Sequence, residues 1–294
     1  MELDDLSAFV TVVRAGGFRE AARVSGLSAS GLSEALRRLE SRLGTRLLHR
    51  TTRSISTTEA GSSLFERLSP ALREIGEALE AVHAQPDQPA GTLRLNVPAN
   101  VAKTVLPGII PRFLHAHPQI RVEVTVEDTH VDILASGADA GIRYEERLEQ
   151  DMIALPIGPR RQRIITVAAP AYLAEHGRPQ HPRDLLDHPC LRLRFSSGAM
   201  AIWEFEKGDE VIRIDPRGPL LVQPGSASDL LIDAAVEGLG VMRLFEDWLA
   251  PALQSGALER ILPEWDEAFA GPMLYYSGRR QVPAPLRAFI DFTR

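Results

Sequence analysis

The 294-residue chain is 44% hydrophobic and 24% charged with a formal net charge of −6, an ordinary composition for a soluble globular protein long enough for two or three domains. It contains no run of about 18 apolar residues, and its acidic start MELDDLSAFV lacks the basic-then-apolar order of an export signal, which points to a cytoplasmic protein with no membrane association. The single cysteine, Cys190 in DHPCLRLRF, has no ligand-spaced neighbours and reads as a structural thiol, which sets redox chemistry aside.

In chain order, Leu3, Leu6, Phe9, Val10 and Val13 form the apolar stripe of a first helix ended by Gly16 and Gly17. FREAARVSG is a short second helix whose Ala21 and Ala22 allow close packing. Gly26, Leu27 and Ser28 then make a tight turn, with Ser28 as N-cap of a third helix, because its hydroxyl can accept from an otherwise unpaired backbone N–H. In that third helix Leu32, Leu36, Leu39 and Leu43 recur at four, three and four residues, one stripe of a helical period. The opposite face starts small, with Ala29, Ser30, Gly31 and Ser33 beside Glu34, and turns arginine-rich at Arg37 and Arg38. A merely solvated face would carry long charged side chains throughout, since these favour the helix and cover apolar surface.

Helix, short Gly-containing turn and second helix is the helix-turn-helix unit, whose second helix enters the major groove with its N-terminal residues toward the bases. Small residues there let the backbone approach the groove floor, and Arg37 and Arg38, one to two turns on, reach phosphates. The following TRLLHRTTRSISTTEAG reads as a β-hairpin wing around Ile55, with Arg50 and Arg53 near its tip and also assigned to phosphate contact. Charge supports this: residues 1–60 hold nine Arg against seven acidic residues, net +2, while the rest holds 24 basic against 32 acidic, net −8.

The stretch LSAFVTVVRAGGFREAARVSGLSASGLSEALRRLESRLGTRLLHRTTRSISTTEAG resembles the LysR-type transcriptional regulators, and the resemblance continues to the C-terminus. It implies an α/β multidomain protein: a winged helix-turn-helix over 1–58, a linker and dimerisation helix with hinge over 59–90, and a two-lobed effector domain of periplasmic-binding-protein type over 91–294. It further implies lobe 1 at about 91–161 and 268–294, and lobe 2 at about 162–267. The implied partners are a double-stranded DNA operator, a small-molecule effector, a second copy or three in a homodimer or homotetramer, and RNA polymerase at the promoter. No cofactor and no metal is expected. Many family members carry Gln-Pro at the recognition-helix start where this chain has Ala29 and Ser30, so base readout by a glutamine there is unavailable.

From Thr58 to about Ala84 the apolar residues Leu64, Leu68, Leu72, Ile75, Leu79 and Val82, spaced by four and three, form the a/d signature of a coiled coil; packing against the protein's own body is the alternative. AQPDQPAG then breaks the helix and is a hinge candidate. Beyond it TLRLNV, IRVEVTV and RIITVAAPAYLAEHG predict strand-helix units around a largely parallel sheet, with NVAKTVLPGIIPRFLHAHP as a helix between the first two strands. By position, the resemblance points for the effector to Pro98, Ala99, Asn100, Thr129 and Arg143, and in the second lobe to Arg194, Phe195, Ser196 and Ser226. Arginines with hydroxyl, amide and helix-start N–H donors suit a small carboxylate or similar anion, although Arg143 could instead pair with Asp139 or Glu145, Ser226 could be a helix cap, and Trp203 with Phe195 could be wall or core.

An enzyme is the rival class. The chain has no G-x-S-x-G elbow, no H-E-x-x-H zinc helix and no phosphate-binding glycine loop, and His115 and His117 in HAHP are two apart, wrong for one helix face. A free-standing solute-binding module would need no basic N-terminal head. One further departure from the family is Phe245, in MRLFEDWLAP, where a Leu-Pro is common; an aromatic there alters an interface between lobes or subunits.

Overall fold

The computed structural model describes residues 3–50, 55–83, 89–128, 137–144, 152–194, 200–223, 228–278 and 282–294. Chain contacts divide it into two units, Met1–Gln85 and Pro86–Arg294.

The first unit packs α1 (Leu3–Arg14), α2 (Phe18–Ser25) and α3 (Ala29–Leu43) around Phe9, Val12, Ala21, Leu32, Leu36 and Leu39. Gly26 ends α2 in the left-handed conformation at φ 71°, which a side chain would strain, and the chain turns directly into Ser28. At the outer ends of the stripes read from the sequence Leu3 and Leu43 are exposed, Leu43 because α3 stops there with Gly44 as a left-handed cap and the last leucine runs past the core. The wing is a short antiparallel pair, β1 (Leu48–Arg50) with β2 (Ile55–Thr57), registered Leu48 to Thr57.

The long α4 (Glu59–His83) follows, and its start is locked to the wing. The Thr58 hydroxyl accepts from Gly61 N at 3.0 Å and donates to the Arg46 carbonyl at 2.8 Å. A Cβ on Gly61 would lie 2.0 Å from the Leu47 carbonyl oxygen, so only glycine fits. Leu64, Phe65, Leu68 and Leu72 are partly buried against the head's own core. Within one chain those seam leucines are thus partly covered, as the packing alternative expects, and partly open. Heptad spacing could not separate the two, because a helix laid on α1 buries the same i, i+4 ridge as one laid on a partner. Ile75, one turn on, is 42% exposed. The side chains of Leu79 and Val82 lie outside the described residues, as do residues 84–88 of the hinge candidate.

The second unit has two sheets, each with its own apolar core. Lobe 1 orders its strands β4 (Ile120–Val126), β3 (Gly91–Val97), β5 (Ala140–Arg143), β15 (Met273–Ser277), β6 (Met152–Pro156) and packs α10 (Ala284–Thr293) against β3. Lobe 2 orders β11 (Leu221–Val222), β8 (Cys190–Leu193), β12 (Val241–Phe245), β7 (Arg161–Ala168) and β13 (Glu259–Ile261), with β14 (Glu267–Ala270) also on β7. Helices α7 (Pro170–His176), α8 (Ser228–Val236) and α9 (Glu246–Gln254) complete lobe 2, and a hairpin of β9 (Trp203–Lys207) and β10 (Glu210–Ile214) joins its core through Trp203 and Phe205.

Both sheets are mixed rather than largely parallel. The return strand β15 runs antiparallel between β5 and β6, and β7 pairs antiparallel with β12, β13 and β14, since the chain leaves lobe 1 and comes back along neighbouring strands. The helix expected between the first two strands is two: α5 (Ala99–Thr104) and α6 (Ile110–Ala116), parted by a 3-10 turn at Leu106–Gly108. Pro107 and Pro111 lack the N–H a continuous helix would use. Trp203 is 4% exposed within the lobe 2 core, which answers wall or core in favour of core.

Candidate functional site

The head presents the start of α3. Ser28 caps it, its hydroxyl accepting from Gly31 N at 3.0 Å and lying 3.1 Å from the Ser30 hydroxyl. Ser28, Ser30, Gly31, Glu34 and Arg37 are exposed, with Ala29 and Ser33 half-buried, so the small residues do form one open surface. The first turns of α1 and α2 carry Asp4, Asp5 and Glu20, the acids that a helix dipole rewards; the first turn of α3 carries none. A helix start kept free of acid leaves its unpaired N–H groups and positive end to a polyanion.

The arginines divide. Arg37 projects into solvent with no intramolecular partner among the described residues. Arg38 donates from Nη2 to Asp5 Oδ1 at 2.7 Å, and Arg42 lies 3.6 Å from the other oxygen of the same fully buried carboxylate. Arg38, read from the sequence as a phosphate ligand, thus also ties α3 to α1. Glu40, the one acid among those arginines, accepts from Leu47 N at 2.9 Å and Leu48 N at 3.2 Å, holding the wing to α3. Arg53 and the Arg50 side chain lie outside the described residues.

In the second unit the predicted effector residues of lobe 1 gather at the end of β3. Pro98, Ala99 and Asn100 are buried, and Arg143 is 5% exposed. The donors expected for an anion are engaged with protein groups. Ala99 N donates to Asp128 Oδ1 at 3.0 Å, and Arg143 donates to the carbonyls of Asn96 and Ile142 at 3.1 and 2.8 Å and to the Asn96 amide oxygen. Asn96 in turn donates to Glu127 at 2.6 Å, while Asp139 accepts from Arg94 N. Arg194 is exposed, its backbone N–H bonded to Val222. Thr129, Glu145, Phe195, Ser196 and Ser226 lie outside the described residues.

Asn100, singled out by position, joins the lobes together with Tyr144, Gln162 and Asp247, which no motif announced. Asn100 Nδ2 donates to the Tyr144 hydroxyl, which donates to Gln162 Oε1, and Gln162 Nε2 donates to Asp247 Oδ2 at 3.0 Å. Burial pushes the Tyr144 hydroxyl up to about 12, so it stays a neutral donor at any physiological pH. Its ring stands 5.7 Å from Phe245 and 5.5 Å from Phe269, which are 5.8 Å from each other. Phe245 therefore serves an interface between lobes. Beside it Lys103 of α5 pairs with Asp229 of α8, its ammonium 5.0 Å above the Trp248 ring, and Trp248 Nε1 donates to Asp229 at 3.1 Å. Those two donors, Lys103 first, hold the Asp229 carboxyl below its ordinary range.

Among the described residues no group of three or more His, Cys, Asp or Glu could hold a metal ion, and no helix is long and apolar enough to cross a membrane. Cys190 is buried, its thiol pushed up to about 12 by that burial.

Residues 3–62 match the family model described as a bacterial regulatory helix-turn-helix protein of the lysR family, and residues 86–294 match the LysR substrate binding domain. The HTH-type transcriptional regulator PgrR of Escherichia coli is 35% identical over 291 residues, covering 99% of this chain and 96% of that one. YcaN of the same organism, described as an uncharacterized HTH-type transcriptional regulator, is 37% identical over 294 residues, covering 100% and 95%. The full-length structure of the Vibrio cholerae virulence activator AphB superimposes with a TM-score of 0.67 at 26% identity, over 100% of this chain and 98% of that one.

Proposed function

Since the chain belongs to the LysR family of transcriptional regulators, with a DNA-binding and an effector-binding domain and relatives that are regulators rather than enzymes, we propose that it reads its operator through the start of α3. The observation that carries this is the open, acid-free first turn of α3 beside the solvent-facing Arg37. Ser28, Ala29, Ser30, Ser33 and Glu34 meet the groove, and Arg37, Arg50 and Arg53 meet phosphates. Arg38 contributes charge from its seat on Asp5. Two or four copies bind one operator, pairing through α4, where Ile75 is the exposed apolar side chain among the described seam positions. Control then passes to RNA polymerase at the same promoter, in the cytoplasm.

The effector is a small anion entering between the lobes. Support comes from the cations on the lobe 1 side, Arg143 and Lys103, whose present partners are protein groups that a ligand carboxylate would replace. Capturing genomic fragments on the full-length protein tests the first part, with enrichment of discrete upstream sites expected; fragments recovered at random would refute operator reading. A thermal-shift screen of small carboxylates tests the second. A true effector stabilises by about 2.7 kcal/mol at a hundred times its dissociation constant. Thr129→Val and Ser226→Ala should each weaken that response, and full response in both would move the site out of the cleft.

A further inference from the structure

Lobe 1 and lobe 2 have separate apolar cores joined where Ala99 of α5 packs into lobe 2's cluster and α5 lies against α9, so the distance between them is set there and by the few side chains that reach across. We propose that the chain Asn100, Tyr144, Gln162, Asp247, together with the Tyr144, Phe245, Phe269 ring cluster, is an interlobe latch that holds the unliganded cleft at one discrete opening. This goes beyond effector binding and acts without any ligand.

The chain runs from one lobe to the other and crosses between them once, at Tyr144 to Gln162. Asn100 sits on α5 and Tyr144 at the end of β5, both in lobe 1; Gln162 lies opposite Phe269 on the paired crossover strands β7 and β14; Asp247 is in the first turn of α9, in lobe 2. The three rings repeat that path, one each from β5's end, β14 and β12's end. The polarity of the chain follows from its terminus. A carboxylate only accepts, so Gln162 must turn its NH2 to Asp247, leaving its oxygen for the Tyr144 hydroxyl and the phenolic oxygen for Asn100. Bonds aligned head to tail polarise one another.

Discreteness follows from burial. The bond that crosses is Tyr144 to Gln162: Gln162 is 5% exposed and Tyr144 half-buried, so separating the lobes slightly would strip the Gln162 oxygen of its donor and the Tyr144 hydroxyl of its acceptor, and only an opening wide enough for water restores them. Intermediate openings are therefore the least stable. The Lys103–Asp229 pair lies beside the latch but is 41% and 59% exposed, and a solvent-screened pair contributes little, so the buried chain dominates.

The test uses the full-length protein with His115→Cys on α6 and Glu175→Cys on α7, both exposed positions, spin-labelled for distance measurement; buried Cys190 stays unlabelled. Dilution with unlabelled chains confines the reading to distances within one chain. The parent should give one narrow distribution. Tyr144→Phe keeps the ring packing and removes both hydroxyl bonds, and Gln162→Leu cuts the chain at its middle; each should raise a longer-distance population by ~5-fold or more. Asp247→Asn keeps an acceptor for Gln162 and should keep the parental distribution. Parental distributions in both Tyr144→Phe and Gln162→Leu would overturn the latch, and so would opening by Asp247→Asn with none by Tyr144→Phe.

Discussion

The head and the effector domain use the same polar chemistry to opposite ends. In the head, Ser28, Glu40, Thr58 and Asp5 each close a bond within a single core, fixing α3, the wing and α4 as one body. In the effector domain, the chain Asn100, Tyr144, Gln162, Asp247 leads from one core to the other, its Tyr144–Gln162 bond crossing between them. A surface that must match a groove gains from rigidity, whereas a cleft that must report a ligand needs contacts that can be exchanged. The contrast says where each kind of substitution will register.

The largest effect should come from Ser30→Glu. An acid at a helix start favours the helix, so the head stays folded, yet it repels phosphate where the backbone must approach. Specific operator affinity should fall ~100-fold or more while melting of the head is unchanged or raised. Footprints equal to the parent's would place the reading face elsewhere. Gly61→Val should come next. Its side chain meets the Leu47 carbonyl and should cost the head about 3 kcal/mol, lowering one calorimetric transition and sparing that of the effector domain. A common shift in both transitions would break the division between the two bodies.

Ile75→Asp should leave head stability within about 0.5 kcal/mol, because the residue is exposed in one chain, and should yield smaller species in sedimentation. An unchanged mass would mean that pairing does not use this face. The smallest effect belongs to Arg37→Ala, a several-fold loss on all operators alike, with the log–log salt dependence flattened by about 0.9. A loss confined to certain sequences would make Arg37 a base reader instead.

Legibility in the sequence followed distance along the chain. The helix-turn-helix was readable because its cap, turn and stripe lie within a few residues, as Ser28 with Gly31 shows. The interlobe chain was not: its members are 44, 18 and 85 residues apart, and an Asn, a Tyr, a Gln and an Asp so spaced carry no periodic signal. Asp5 hid for a related reason, since an acid in the first turn of a helix ordinarily signals a dipole, and only the fold shows it buried under Arg38. Phe245 was visible as a departure from the family, but what it abuts depended on Phe269 returning from lobe 2.

The seat of Trp248 has an optical consequence. All three tryptophans, Trp203, Trp248 and Trp265, lie in the second unit, so intrinsic fluorescence is silent about the head and follows the effector domain alone. All three are buried in lobe 2's core, and Trp248 alone also gives its indole N–H to Asp229 beneath the ammonium of Lys103 from the other lobe. Drawing the lobes apart removes that cation and wets one indole of three, so a red shift in emission becomes a label-free gauge of cleft opening.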